Sequence, residues 1–499
     1  MPNPHTAVDG RNLRPTLSTS KIVFLVVAAA APLAAMVGTV PLAFAIGDGA
    51  GVPAMFVFAG ITLLCFSVGY AAMSRRIVHA GGFYTYLAQG LGKPVAVAGG
   101  AIAIVSYNAV AIGLAGAFGY FAQLVLEALG VDAPWQACAA FAVLVVGVLG
   151  YRQIDLSARV LSLLMVAEIG VLAVLDVGIL AHHGGAALPA ASFDPSVVLS
   201  GGVGVAMMFA FISFIGFESA ALYGEETRNP ARSIPLATYA SVGLIAVFYA
   251  FTSWAAVGAI GPERVSEVAG DQLGNLFFTI SDANVDPALT AVMQILLVTS
   301  MLAAMLALHN AANRYAYVFG REGVLPTGLG AVHARHLSPH RASVTQTVLT
   351  TVVLAVFALA GLDPYTNLAT SMVGLGTLGI IVLQAGAALA VIAFFRGRSD
   401  RHWWRTLVAP GLGALGLIAA VELVVTNFSV LTGSTSPVIN ALPWLLPVLA
   451  VAGIGYARWM RANRPARYAA LAAVEPNLSG DDTPGEAPTR PEADVAAVG

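Results

Sequence analysis

Residues 209–223 have the sequence FAFISFIGFESAALY, an apolar run with Gly216 and Glu218 at its centre. A carboxylate at the centre of a membrane helix costs about 2.5–3.5 kcal/mol to insert. A second apolar run, AMVGTVP at residues 35–41, has a glycine and a proline in its middle. Helices interrupted in this way line the cavities of transporters. We therefore predict that both runs are broken helices; the alternative interpretation is that their glycine and proline serve packing and kinks.

The composition of the whole chain places both runs in a membrane. Of its 499 residues, 58% are hydrophobic and 10% are charged, whereas soluble domains carry about 25% charged residues. The formal charge of −2 offers no electrostatic surface for nucleic acid. The two cysteines, Cys65 and Cys138, lie in apolar runs, which excludes a disulfide framework and a zinc site. The sequence therefore predicts an all-α polytopic membrane protein.

Twelve runs are long and apolar enough to cross a bilayer, which requires about 20 residues. The predicted transmembrane helices are 22–46, 52–74, 95–127, 134–150, 157–181, 197–223, 234–260, 287–318, 343–361, 366–395, 406–427 and 438–460. The two interrupted runs fall in the first and the sixth of these helices. Two breaks five helices apart are typical of an inverted repeat with a binding site between its halves.

The basic residues give the predicted helices an orientation. Of 24 Lys and Arg residues, 23 fall in the two tails, in the loops after even-numbered helices or at the helix ends that border them, and Arg264 alone falls on the other side. Because basic residues accumulate on the cytoplasmic side of a membrane, both termini are predicted to be cytoplasmic. The membrane is expected to be the cytoplasmic membrane of a bacterium. The polar tails, 1–18 and 465–499, are expected to be disordered.

Three motifs carry a family resemblance. They are FAFISFIGFESAALYGEETRNPARSIP at 209–235, GREGVLP at 320–326 after Asn313-Arg314, and the loop from Ser74-Arg75-Arg76 to AGGFY at 80–84. With these motifs the chain resembles the amino acid–polyamine–organocation (APC) superfamily over residues 20–460. The first motif is the most specific of the three.

The resemblance implies a LeuT-like fold, which is a five-plus-five inverted repeat with two additional C-terminal helices. The first repeat would be residues 19–181, the second residues 197–395, and the additional helices residues 406–460. The resemblance also implies movement of amino acids or amines by alternating access. In this family the unwound parts of helices 1 and 6 hold the amino and carboxylate groups of the substrate, and the matching segments here are Met36 to Pro41 and Ile212 to Glu218.

The first of these segments departs from the family pattern. Gly38-Thr39-Val40-Pro41 stands where a glycine–serine–glycine run is usual. Unwound backbone remains a suitable partner for a zwitterion, because the N-terminus of a half-helix attracts a carboxylate and free carbonyls accept from an ammonium.

Four acids fall within predicted transmembrane helices, namely Glu168, Asp176, Glu218 and Glu422. Family members with a glutamate matching Glu218 are thought to use it in substrate gating or proton sensing; the alternative is a protonated acid bonded to a neighbouring helix. Glu168 stands where many members carry a lysine that serves proton coupling. We predict a proton acceptor there, with part of a sodium site and a hydrogen bond between helices as alternatives. Asp176 is expected to reach water near the outer interface, and Glu422 to serve packing or oligomer contacts.

The predicted substrate site combines both breaks with polar residues of the third helix. It comprises Met36, Val37, Gly38, Thr39, Tyr107, Asn108, Phe211, Ile212, Ser213, Ile215, Gly216 and Glu218. Tyr107 and Asn108, like His309 of the eighth helix, either reach this cavity or join helices to each other. No metal and no cofactor is predicted, because His333, His336 and His340 have the spacing of metal ligands but no carboxylate or cysteine partner.

Together these features predict a secondary-active transporter of amino acids or polyamines, coupled to protons through Glu168 and Glu218. Its partners would be a small-molecule substrate, the proton and the lipid bilayer. The alternatives are an exchanger, a permease for another small organic solute, a channel and a polytopic membrane enzyme. An enzyme would need a catalytic cluster near an interface, and we find no such cluster in the sequence.

Overall fold

The computed structural model describes residues 18–77, 82–152, 158–218, 220, 227, 229–336 and 338–472. The described residues form helices joined by turns and loops. The α-helices are, in chain order, α1 Thr19–Ala29, α2 Pro32–Ile46, α3 Val52–Ser74, α4 Gly82–Leu91, α5 Lys93–Ala128, α6 Trp135–Arg152, α7 Ala158–His183, α8 Pro195–Val198, α9 Val203–Ser213, α10 Pro230–Ile260, α11 Val265–Gln272, α12 Leu276–Asn284, α13 Pro287–Glu322, α14 His340–Leu359, α15 Thr370–Phe395, α16 Ala409–Thr426, α17 Phe428–Thr432, α18 Pro437–Asn440, α19 Leu445–Asn463 and α20 Pro465–Ala470.

Ten helical segments of the described chain are long and apolar enough to cross a membrane. They are Gly49–Ser74, Lys93–Ala128, Trp135–Arg152, Ser162–Ala187, Ala231–Ile260, Pro287–Glu322, His340–Leu359, Pro364–Phe395, Trp404–Thr426 and Pro437–Asn463. Each corresponds to one of the twelve predicted transmembrane helices. The two left over are the first and the sixth, which are shorter because they are broken. The predicted all-helical architecture is thus confirmed.

The first transmembrane helix is broken at Ala30 and Ala31, between α1 and α2. Ala31 has a left-handed backbone with φ of +45°, and Pro32 then begins α2. Proline suits the first position of a helix because it has no N–H to leave unpaired, and it disfavours helical backbone in the residue before it. The break therefore comes where an alanine run meets a proline.

This position corrects the sequence prediction, which placed the unwound segment at Met36 to Pro41. Those residues are helical and lie inside α2. A proline inside a helix disturbs the preceding turn, and here the carbonyl of Gly38 in that turn accepts a hydrogen bond from the Tyr365 hydroxyl at 3.1 Å. The carbonyl that loses its N–H donor to Pro41 is that of Val37, four residues earlier. The Tyr365 bond anchors the neighbouring Gly38 carbonyl, and α2 continues through Pro41 to Ile46.

The sixth transmembrane helix is broken where the sequence predicts. Helix α9 ends at Ser213, and the chain then turns through Phe214 to Phe217. Gly216 has φ of +114°, a conformation that glycine adopts without a steric penalty. Most of the predicted second half of this helix lies outside the described residues.

One hydrophobic core contains both broken helices. Helix α5 runs through its centre and packs against α4, α6, α13, α15 and α19. Helix α3 packs against α9, α10 and α16, while α2 packs against α9 and α11. Helix α2 also contacts α7, α10 and α13, and α9 also contacts α16, so both broken helices are enclosed by other helices of the bundle.

The helix ends that carry most of the basic residues lie on one face of the bundle, which we call the tail face. Thr19 at the start of α1 bonds to Ser233 near the start of α10, with 2.7 Å between the hydroxyl oxygens. Arg76, after α3, forms an ion pair of 2.9 Å with Asp400, after α15. These contacts place the ends of helices that are distant in sequence on the same face.

The C-terminal tail begins with ordered structure, contrary to the prediction for residues 465–499. Pro465–Ala470 form α20, and Leu471 and Ala472 after it are buried. The sequence appeared disordered because proline, alanine and acidic residues dominate the tail as a whole. The residues from 473 onward, and residues 1–17, lie outside the described part of the chain.

Candidate functional site

Glu218 lies directly beside the break in the sixth transmembrane helix, with 4% of its surface exposed. The Tyr107 hydroxyl donates to its Oε1 at 3.1 Å, and the Gly216 N–H donates to its Oε2 at 3.0 Å. The Tyr70 hydroxyl donates to its backbone carbonyl at 3.2 Å. All three donors are neutral. Because a buried carboxylate is costly without a cation, this arrangement leaves Glu218 suited to pair with a cationic group brought by a ligand.

Aromatic rings fix the groups that hold Glu218. The ring of Tyr107 stacks on that of Tyr315, with centroids 5.6 Å apart. Tyr70 packs against Phe66 and Tyr86, with centroids 5.2 and 4.9 Å away. Tyr107 was predicted from the sequence, whereas Tyr70 and Tyr315 were not, because tyrosines in apolar helices are common and carry no distinguishing pattern.

Thr39 and Ser213 connect the two broken helices. Their hydroxyl oxygens are 3.0 Å apart, with Thr39 on α2 and Ser213 at the end of α9. Each hydroxyl also lies within hydrogen-bond distance of the carbonyl four residues earlier in its own helix. The structure thus brings together two residues that the sequence predicted as substrate contacts.

Glu168 lies at the break in the first transmembrane helix. Its Oε2 accepts a hydrogen bond of 3.2 Å from the N–H of Leu33, the second residue of α2. The Tyr249 hydroxyl approaches the carbonyl of Ala30 on the other side of the break, at 3.5 Å. A carboxylate is stabilised at a helix N-terminus by free N–H groups and by the helix dipole. Glu168 therefore occupies the anion position of this half-helix.

The other predicted contacts are spread along the same helices. Met36 and Val37 are fully buried in α2, and Phe211 is almost fully buried in α9. Ile212, near the end of α9, and Ile215, in the turn, keep part of their surface accessible. The Asn108 amide donates to the carbonyl of Ile104 in its own helix at 2.7 Å.

The remaining intramembrane polar residues lie apart from the breaks. Asp176 does not reach water as expected: 3% of its surface is exposed, and it accepts from the Thr252 hydroxyl at 2.8 Å. It lies on the side of α7 that packs against α10, which the sequence could not reveal. His309 bonds to Ser343 of α14, with 2.8 Å between Nε2 and Oγ. Glu422 is exposed on α16.

His333 and His336, in the loop before α14, lie together with His340, the first residue of α14. The ring centroids are 4.7 Å apart for His333 and His336 and 5.2 Å apart for His333 and His340. Nδ1 of His333 already accepts from the N–H groups of Arg335 and His336. Across the described residues, no group of three His, Cys, Asp or Glu side chains could hold a metal ion.

A cavity of about 450 Å³ opens on the face opposite the tail face. Its lining includes Tyr120, Glu127, Trp135 and Asp363. The ring of Tyr120 stacks on that of Tyr365 at 4.7 Å, and the Tyr365 hydroxyl is the group that bonds to Gly38 of α2. The cavity wall is thereby in contact with the first broken helix.

Sequence comparisons identify known proteins that this chain resembles. A family model described as amino acid permease matches residues 17–452. The branched-chain amino acid permease BcaP of Bacillus subtilis is 26% identical over 428 residues, which cover 81% of this chain and 85% of BcaP. The low-affinity putrescine importer PlaP of Escherichia coli is 25% identical over 435 residues, which cover 81% of this chain and 87% of PlaP.

A solved structure has the same arrangement of helices. The crystal structure of MhsT in complex with L-phenylalanine matches with a TM-score of 0.55 and 15% identity, over 84% of this chain and 99% of MhsT. At this identity the likeness shows the fold, which is LeuT-like. Since the family model covers most of the sequence, the chain belongs to the amino acid permease family of the APC superfamily and is a transporter, not an enzyme.

Proposed function

We propose that this permease imports an amino acid or a polyamine across the bacterial cytoplasmic membrane, by alternating access and with proton coupling. The observation that carries the proposal is Glu218, which is buried beside the break of the sixth transmembrane helix and whose side-chain donors among the described residues, Tyr107 and Gly216, are neutral. A substrate ammonium supplies the positive charge that this carboxylate lacks. BcaP and PlaP, which carry such substrates by name, support an amine-bearing substrate.

The substrate lies between Glu218 and the N-terminus of α2. Its ammonium pairs with Glu218 and with carbonyls of the helix-6 turn, next to the Thr39–Ser213 contact that joins α2 to α9. An amino acid has a carboxylate as well, and the N-terminus of α2 attracts an anion. In the structure, Glu168 holds that position through Leu33.

Glu168 and the substrate carboxylate compete for the N-terminus of α2, and proton coupling follows from this competition. When Glu168 takes up a proton, its attraction for the Leu33 N–H and for the helix dipole weakens, because the dipole favours only the charged form. The N-terminus of α2 is then open to the substrate carboxylate. Proton and substrate therefore favour the same state of the protein, which is the thermodynamic requirement for symport.

The multi-pass protein is oriented with its tail face in the cytoplasm. This face carries Arg75, Arg76, Lys93 and most of the other basic residues, as short cytoplasmic loops do. Residues 19–181 and 197–395 act as the two repeats that move relative to each other.

Uptake into proteoliposomes tests the proposed function. The purified protein is reconstituted and supplied with labelled leucine, phenylalanine or putrescine, with and without an inward proton gradient. We expect saturable uptake of at least one compound, stimulated by the gradient. If none of the three compounds is taken up, or if the rate of uptake is the same with and without the gradient, the proposal is contradicted.

Glu168→Gln tests the coupling itself. Glutamine keeps the shape of the side chain but cannot exchange a proton, so the variant should retain binding and lose the pH dependence of uptake. The matched control is Glu422→Gln, which changes an intramembrane acid exposed on α16 and should behave like the wild type. An unchanged pH dependence in Glu168→Gln would exclude Glu168 as the coupling acid.

A further inference from the structure

The last described residues of the chain, 464–472, dock against the tail face. We call this segment the C-terminal strap; it consists of Arg464, helix α20, Leu471 and Ala472. None of the surface of Leu471 is exposed, and 4% of that of Ala472. Leu471 belongs to a small apolar cluster separate from the main core, made with Val97 of α5 and with Ala457 and Met460 of α19.

Two charged groups hold the strap. Lys93 Nζ donates to the carbonyls of Tyr468 and Ala469, at 3.1 and 2.6 Å, near the C-terminal end of α20. Glu322 Oε1 accepts from the N–H of Ala472 at 3.2 Å. The same carboxylate accepts from the Tyr84 hydroxyl at 2.5 Å through Oε2. One side chain therefore joins the strap to α4.

Both charges lie at the unfavourable ends of their own helices. Lys93 is the first residue of α5, and Glu322 is the last residue of α13. The helix dipole disfavours a cation at an N-terminus and an anion at a C-terminus. The strap offsets both effects, because it gives Lys93 two carbonyls and Glu322 an N–H donor. The docked strap therefore accounts for a positive charge at Lys93 and a negative charge at Glu322, which their own helices do not favour.

The strap also joins two of the motifs that gave the family resemblance. Tyr84 belongs to the motif at 80–84 and Glu322 to the motif at 320–326. Their helices meet at this point, where the ring of Tyr84 packs against that of Phe319 with centroids 5.3 Å apart. Helix α4 connects α3, which packs against α9 and α10, to α5, which packs against α13. The Tyr84–Glu322 hydrogen bond joins α4 to α13, and the strap adds to this contact because Ala472 bonds to the same carboxylate. Docking of the strap therefore restrains α4, the helix that connects α3 to α5.

We propose that the C-terminal strap is a releasable brake on transport. When docked, it holds α4 against the end of α13 and slows the change that opens the substrate site toward the tail face; when released, it lets α4 move. This inference rests on the proposed function, since it takes the tail face as cytoplasmic and the change as part of a transport cycle.

Three variants test the brake. A chain ending at Asn463 lacks the strap and everything after it, whereas a chain ending at Ala472 keeps the strap and is the matched control. Leu471→Asp in the full chain places a charge in the small apolar cluster while keeping the length. We expect the chain without the strap and Leu471→Asp to have a maximal uptake rate at least twofold higher than the wild type, with KM within twofold of the wild-type value. The control should match the wild type. Rates at or below wild type in both strap variants, or an equal rise in the control, would overturn the proposal.

A second measurement needs no transport. Trypsin can cut after Arg467, inside the strap, but not after Arg464, because Pro465 follows it. Docking should protect the Arg467 bond, so mass spectrometry should find cleavage at least fivefold faster in Leu471→Asp than in the wild type. Equal rates of cleavage in the variant and the wild type would show that the strap is not docked, whether or not the protein transports a substrate in vesicles. Absence of uptake by the wild type would instead count against the proposed function.

Discussion

At the scale of single residues, Glu218 and Tyr107 make a prediction about binding strength. Glu218→Gln keeps the shape of the side chain but removes the charge offered to the substrate ammonium. A hydrogen bond to a charged group contributes about 1.5–3 kcal/mol, so uptake at low substrate concentration should fall by about tenfold or more. Tyr107→Phe keeps the stack on Tyr315 and removes one neutral donor, so its loss should be several-fold at most.

Initial uptake rates, measured at substrate concentrations below KM, test whether Glu218→Gln loses more activity than Tyr107→Phe. Glu422→Gln, exposed on α16, again serves as the control. A larger loss in Tyr107→Phe than in Glu218→Gln would mean that the ring and its hydroxyl, rather than the carboxylate, bind the substrate.

Asp48, in the turn after α2, makes a prediction about pH. Burial raises the pKa of this carboxyl from 3.8 to about 6, although a hydrogen bond from Ser200 opposes the shift. The folded protein therefore holds this proton between pH 4 and 6 when the unfolded chain has released it. Stability must fall as pH rises through that window and stay low above it, with an upper bound of about 3 kcal/mol.

Asp48→Asn removes this effect. The variant should melt at a higher temperature than the wild type at pH 7.5 and at nearly the same temperature at pH 4. Thermal melting of the purified protein at a series of pH values measures the difference. A constant difference at all pH values would show that Asp48 does not titrate in this range.

At the scale of elements, the turn at Gly216 makes a prediction about the broken sixth helix. Gly216 has φ of +114°, and an alanine in left-handed backbone costs about 1–2 kcal/mol. Gly216→Ala should therefore lower the melting temperature and reduce uptake together, because the turn also positions the N–H that binds Glu218. Gly170→Ala in α7 is the control, since a Cβ there would meet no atom within 4 Å. If both variants melt like the wild type, the break does not depend on glycine.

The elements also show what sequence could predict. The length and hydropathy of each run were sufficient to find the membrane helices, and the glycine beside Glu218 located the sixth break. The first break was misplaced by about two helical turns, because Pro32, Gly38 and Pro41 are all residues that interrupt helices and the sequence does not rank them. Asp176 was misjudged for a similar reason. Its exposure depends on which side of α7 faces α10, and that is a property of tertiary packing.

At the scale of the whole molecule, the distribution of charge predicts which face lies in the cytoplasm. Gly397, after α15 on the tail face, and Gly270, in α11 on the opposite face, are both exposed. An added Cβ would meet no atom within 4 Å at either position. A cysteine can therefore be placed at each site without disturbing the fold, once Cys65 and Cys138 have been replaced by serine.

A membrane-impermeant maleimide then reports the orientation in intact bacterial cells. Gly270→Cys should be labelled at once, and Gly397→Cys only after the cells are permeabilised, because 23 of the 24 basic residues mark the other side as cytoplasmic. Labelling in the opposite order would show that the protein has the inverse orientation in the membrane. It would then place the Asp48 turn and the 450 Å³ cavity in the cytoplasm and the C-terminal strap outside the cell. Labelling of both sites in intact cells would mean that one of the twelve transmembrane helices does not cross the bilayer.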